Sequence, residues 1–152
     1  MKLAEALIMR ADAQNRIEQL RMRLNSNAQV QEGNAPAENP QHLLAEFERT
    51  AAELTHLIQR INGTNAVTVL ADNQTLADAL ALRDVLKLRQ GVYRGLAQAA
   101  LVSVNRYSRS EIRSQSTVDV AEIQTLADNL AREHRELDAQ IQAANWLTEL
   151  IE

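Results

Sequence analysis

The stretch TLADALALRDVLKLRQGVYRGLAQAALVS, residues 75–103, decides how this chain is read. Leu76, Leu80, Leu82, Val85, Leu86, Val92, Tyr93 and Leu96 return at helical intervals, which predicts a helix over about 76–103. Thr75 with Asp78 three residues on resembles a capping box at its start, although Asp is shorter than the usual Glu. These apolar residues do not fit on one thin seam. A helix that is apolar around much of its circumference is either central in a fold or shared between subunits. Small residues also line one face: Gly91, Gly95, Ala99 and Ser103 follow at four-residue steps. Glycine inside a helix costs about 1 kcal/mol relative to alanine. Two on one face mark either a close approach of another backbone or a weak, bending helix, and close packing is the favoured reading.

Three further helices are expected, over about 2–25, 40–62 and 119–151, with a flexible connector over 26–39. In the first, Leu3, Leu7, Ile17, Leu20 and Leu24 share a stripe whose middle, Arg10 and Ala13, is polar and small. The connector carries Gly33, Pro36 and Pro40, which break the pattern. Asn39 before Pro40 is a good helix start, because the side chain caps and Pro lacks an N–H that would go unused. Phe47, Ala51, Leu54, Ile58 and Ile61 form the second stripe, and Asn62-Gly63 reads as its stop, with Gly63 as a left-handed cap. Val67 to Leu70 has the character of a short strand. Ile123, Leu126, Leu130, Leu137, Ile141, Ala144 and Ile151 keep close to a seven-residue repeat in the last helix. The expected fold is therefore all-α. Four long amphipathic helices form a coiled-coil-like bundle in one domain over 1–152, with room for one short β-hairpin or β-bridge in the loops.

Composition agrees with thin helical seams. The 152 residues include 21 Leu and 24 Ala but only one Phe, one Trp and two Tyr, too few aromatics for a thick globular core. Four Gly and two Pro argue against compact all-β architectures. The absence of Cys excludes disulfides, thiolate metal sites and a Cys nucleophile. MKLAEALIMR lacks the features of a signal peptide, and no stretch approaches the roughly 20 apolar residues of a membrane span, so a soluble cytoplasmic protein of bacterial type is expected.

Charge is unevenly distributed. Residues 1–25 carry net +2, 26–82 carry −5, 83–113 carry +5 and 114–152 carry −6, giving −4 for the chain. Alternation of sign suggests that neighbouring helices complement one another, whereas a nucleic-acid binder is usually basic over its whole domain. The loop RYSRSEIRSQSTVD, residues 106–119, holds three arginines and five Ser or Thr hydroxyls. Arg106, Tyr107, Arg109 and Arg113 are candidate contacts for an anion or for an acidic surface of a neighbouring helix. Thr117 and Asp119 are both competent N-caps for the last helix, and Asp119 with Glu122 fits a capping box.

No constellation for catalysis stands out. Glu53-x-x-His56 has the spacing of a di-iron half-site, but such a site needs a second copy, and neither His42 nor His134 has a Glu three residues before it. His134 and Asp138 form an i,i+4 pair beside the last stripe, read as a polar group that fixes register rather than a metal pair. There is no G-x-S-x-G elbow and no Gly-rich phosphate loop. Accordingly no catalytic residue, metal or cofactor is assigned, and no small-molecule substrate is identified.

Several segments together carry a resemblance: KLAEAL (2–7), RADAQNRIEQLRMRL (10–24), VQEG (30–33) with PAE (36–38), RINGTNA (60–66), TLADALALRDVL (75–86), RYSRSEIRSQSTVDV (106–120) and ANWLTEL (144–150). In order and spacing they resemble the septicolysin-like family of small bacterial proteins. That resemblance implies an all-helical protein with no established mechanism and no catalytic residues to carry over.

The expected function is a non-enzymatic, homo-oligomeric helical scaffold or interaction protein. One alternative is a membrane-acting, pore-forming protein of cytolysin type, suggested by amphipathic helices and the family's name. A further alternative is nucleic-acid binding through the basic block 83–113, where Tyr107 beside Arg106 and Arg109 offers a stacking group.

Overall fold

The computed structural model describes residues 1–101 and 113–152, and it is all-α. Four helices follow in order: α1 (Leu3–Ser26), α2 (Pro40–Val67), α3 (Leu76–Ala99) and α4 (Val120–Leu147). Contacts gather into two compact units, one of Met1–Leu76 with Gln142–Glu152, the other Ala77–Ile141.

In the first unit, α1 and α2 form an antiparallel hairpin. The inner row of α1 is Leu3, Ala6, Arg10, Ala13, Ile17, Leu20 and Leu24, with Ala4 and Leu7 also covered beside it; that of α2 is Leu43, Phe47, Thr50, Leu54, Leu57, Ile61 and Thr64. Both rows alternate steps of three and four, the spacing that keeps one stripe facing a partner helix. Leu3, Leu20, Ile61 and Leu76 are fully buried, and each contributes about 1.5–3 kcal/mol through removal from water. Ion pairs also cross the hairpin: Arg16 Nη2 on α1 donates to Glu46 on α2 at 2.7 Å, and Arg23 Nε donates at 3.1 Å to Glu38, just before α2.

The connector between them is tied at both ends. Glu38 N–H donates to the Asn27 side chain at 2.9 Å, and Asn39 accepts from Gln41 N–H at 2.9 Å as the N-cap of α2, with Pro40 first in the helix. Gly33 takes φ +86°, the left-handed conformation that glycine adopts without strain.

Three boundaries differ from the sequence reading; the first is that of α3, which ends at Ala99 rather than near 103, with Ala100 in a turn. α2 does not stop at Asn62-Gly63 but runs on to Val67. The chain's C-terminal segment explains why. Ile151 lies against Gly63 so closely that a Cβ there would stand 2.6 Å from Ile151 Cδ1, and Ile151 N–H donates to Thr64 Oγ1 at 3.1 Å. Arg60 Nε donates to the Ile151 carbonyl at 2.7 Å, so that turn of α2 is held by the tail and stays helical. Correspondingly, α4 ends at Leu147 rather than near 151, because the following residues leave the helix to make an antiparallel bridge between Glu149 and Lys2. Leu3 N–H donates to the Thr148 carbonyl and Leu150 N–H to that of Met1, both at 2.9 Å. The expected strand at Val67–Leu70 reduces to a single bridge between Val69 and Thr75, closed by a turn in which Asn73 takes φ 65°.

In the second unit, α3 and α4 lie antiparallel. Arg83 near the start of α3 donates to Asp138 near the end of α4 at 3.1 Å, while Arg94, Gln98 and Leu101 share a recess with Gln124 and Asp128. The inner row of α4 is Ile123, Ala127, Leu130, His134, Leu137 and Ile141. Leu126 falls outside it, at 39% exposure, and Ala127 takes the inner position. Asp119 caps α4 by accepting from Glu122 N–H at 3.1 Å.

Thr64 is fully buried and has two roles: its hydroxyl donates to the Arg60 carbonyl at 2.8 Å and accepts from Ile151. Thr64→Val keeps the shape but leaves the Ile151 N–H without its acceptor. A loss of about 1–3 kcal/mol is expected in chemical denaturation.

Glu149 is held below the usual carboxylate range by hydrogen bonds from Lys2 and from the Met1 amine. A carboxylate whose folded pKa lies below its unfolded one stabilises the fold above the unfolded value, about 4.3, and that contribution disappears as pH falls through the folded pKa. With Glu149 64% exposed, screening keeps the effect small. Comparing urea midpoints at neutral pH and near pH 3, Glu149→Gln should start lower than the unsubstituted chain and lose less on acidification.

Candidate functional site

α3 shows an inversion that its sequence did not reveal. The row turned toward α4 is Ala79, Arg83, Leu86, Gln90, Tyr93, Ala97 and Ala100, all buried or half-buried and again stepped by four and three. From Ala79 onward only Leu86 in that row is a large aliphatic side chain, although fully buried Leu76 lies one step before the row and half-buried Leu80 beside it. Two residues further along from each inner position, about 200° round the helix, runs the opposite row. It consists of Ala81, Val85, Leu88, Val92, Gly95 and Ala99, and every member is exposed. Val85 is 48% exposed, while Leu88 and Val92 are each 70% exposed, so the more apolar stripe faces away from the chain's own partner helix. Leu82 and Leu96, at 42% and 40%, widen it on one side. Scattered exposed leucines are ordinary, but a row of this length at coiled-coil spacing is the kind of surface that marks an interaction site.

The small residues belong to this outward face. A Cβ built on Gly91 or on Gly95 would meet nothing within 4 Å. The close crossing expected at Gly91 and Gly95 is therefore not made by the described residues of the chain itself, while Ala99 borders a recess shared with Ser114 and Val118. A shallow apolar recess bounded by Asp84, Lys87, Leu88, Gly91 and Val92 lies over the first of these glycines. Charged residues flank the row: Asp84 on one side and Arg89 on the other, both exposed.

The remaining sequence candidates divide. Ser103, Arg106, Tyr107 and Arg109 lie outside the described residues. Arg113 is exposed. His134 is half-buried in the α4 row between Leu130 and Leu137, and Asp138 pairs with Arg83, so both take part in the inner seam. Glu53 and His56 are exposed on α2, and among the described residues no three His, Cys, Asp or Glu side chains converge as metal ligands would. A groove of about 670 Å³ runs along the middle of the α1–α2 seam, where Asp12, Arg16, Gln19, Arg23, Glu46 and Glu53 form its walls. Its arginines are engaged with Glu46 and Glu38, which makes it a polar, solvated furrow.

With the geometry in place, comparison with known proteins gives the lineage. The profile of a family of unknown function, DUF6847, matches residues 10–150. The chain belongs to that family. This corrects the expected septicolysin-like resemblance: that likeness rested on short separate segments, whereas the family match spans nearly the whole chain. A crystal structure of a functionally unknown conserved protein from Corynebacterium diphtheriae is similar at 46% identity over 99% of both chains, with a TM-score of 0.94. No curated protein matches. Among the described residues no helix is long and apolar enough to cross a membrane.

The inversion on α3 separates two leucines only two residues apart. Leu86 is 3% exposed, so Leu86→Ala should destabilise the chain by about 2–5 kcal/mol. Leu88→Ala, measured at submicromolar concentration by thermal or chemical unfolding, should stay within about 0.5 kcal/mol of the parent.

Proposed function

We propose that the protein works without catalysis, as a self-associating helical scaffold whose contact surface is the outward face of α3. The observation that carries this reading is the exposed row Val85, Leu88 and Val92, continued by Gly95 and Ala99 and set opposite the face α3 uses within the chain. A helix ordinarily turns its most apolar stripe inward. Here the inner row includes Arg83 and Gln90, while a stripe with no polar member from Ala81 to Ala99 is left to water. A second copy presents the same stripe, and a two-fold arrangement lets one surface bury itself against its own likeness. Gly91 and Gly95 then serve as the places where another backbone approaches.

Loss of the septicolysin-like assignment removes the family-based support for a lytic role. Of the basic residues of α3, Arg83 is engaged with Asp84 and Asp138, which leaves Lys87, Arg89 and Arg94 as the exposed cations of that helix.

Light scattering coupled to size exclusion, run from submicromolar to about 100 µM, tests the reading. The parent chain should rise above monomer mass with concentration. Leu88→Glu with Val92→Glu should remain monomeric while keeping the parent's helicity and unfolding midpoint, because each side chain is 70% exposed. A parent that stays monomeric throughout overturns the proposal.

A further inference from the structure

We infer that the second copy lies parallel to the first and in register along α3, with orientation selected by Asp84 of each copy meeting Arg89 of the other. This inference rests on the self-association reading above and specifies the partner's geometry.

The outward row fits a heptad without a gap. Val85, Val92 and Ala99 fall at the first core position, and Ala81, Leu88 and Gly95 at the second. β-branched residues at the first position with leucine at the second favour parallel, two-stranded packing. In the centre of the row that is the arrangement: Val85, Leu88, Val92.

Flanking residues decide more sharply. Beside the core run Ala77, Asp84, Gly91 and Gln98 on one edge, and Leu82, Arg89 and Leu96 on the other. In a parallel pair, each residue of the first edge meets the residue five places on in the other copy. Ala77 then meets Leu82, Asp84 meets Arg89, and Gly91 meets Leu96: small faces large twice, and acid faces base once. Two-fold symmetry makes every one of these contacts twice.

In an antiparallel pair like edges meet. Centring it on residue 90 sets Leu88 against Val92 of the other copy, but it also brings Arg89 against Arg89 at the axis. That contact joins two like charges where the parallel pair joins opposite ones. Both groups are available for the parallel contact. Arg89 is exposed and has no ion pair among the described residues, and Asp84, although Arg83 donates to its Oδ1, remains 70% exposed.

Charge reversal and cross-linking test the inference together. Asp84→Arg alone, or Arg89→Asp alone, should raise the dissociation constant about tenfold at low salt, since each turns two attractive contacts into repulsive ones. The double variant Asp84→Arg with Arg89→Asp should restore association. Because the chain has no cysteine, Leu88→Cys gives a clean second probe. In the parallel pair residue 88 faces its own copy across the axis, so oxidation should give a disulfide-linked dimer of that single variant. An antiparallel pair would instead cross-link only a mixture of Leu88→Cys and Val92→Cys chains. A monomeric parent overturns both this inference and the proposed function. Self-association without recovery in the double variant, or with cross-linking only in the mixture, overturns the parallel arrangement and leaves the scaffold reading standing.

Discussion

Steps of three and four between inner positions are the constraint from which the rest of the structure follows. They run through all four helices: Leu3-Ala6-Arg10-Ala13 in α1, Leu57-Ile61-Thr64 in α2, Ala79-Arg83-Leu86-Gln90 in α3 and Leu130-His134-Leu137-Ile141 in α4. An average spacing near 3.5 residues gives a narrow stripe, and two narrow stripes make a thin seam. Thin seams take Leu and Ala and have little room for aromatics. The single Phe is only half-buried, and the single Trp is 55% exposed. A thin seam also leaves each helix most of its circumference, which is why α3 has a free side on which a second stripe can lie.

Much of this was legible in the sequence, and the missing parts have a common cause. The all-α class, the cap at Asn39, the row of α1 and most of the row of α4 follow from local spacing; in α4 the expected Leu126 gives its inner place to Ala127, and Ile151 lies beyond the helix. α3 has two candidate sides. Periodicity identifies it as a helix but cannot say which side faces inward when apolar and small residues lie on both. What settles the matter is the partner: Asp138 on α4 draws Arg83 inward and fixes the register of the helix around it. Gly63 shows the same limit. Read locally, Asn-Gly is a stop. In the structure the glycine is needed because Ile151, far along the chain, packs on it. The proposed interaction site was legible as an anomaly, an apolar excess on residues 76–96, but its direction was not.

The two faces of α3 hold different kinds of interaction, and this bears on what each can do. Inside, the pair Arg83–Asp138 is partly exposed, at 25% and 39%, so its net contribution to stability is modest. Its value lies in specificity: with His134 and Gln90 it gives the α3–α4 seam polar positions that penalise a slipped register. Outside, no core position from Ala81 to Ala99 is polar. Such a row has strength without much discrimination, since apolar contacts are non-directional. Discrimination there falls to the edges, where Asp84 and Arg89 stand exposed. Salt screens exposed charges strongly and apolar contact hardly at all. Raising ionic strength therefore acts on the choice between arrangements of the outer seam more than on the tendency of that seam to be covered.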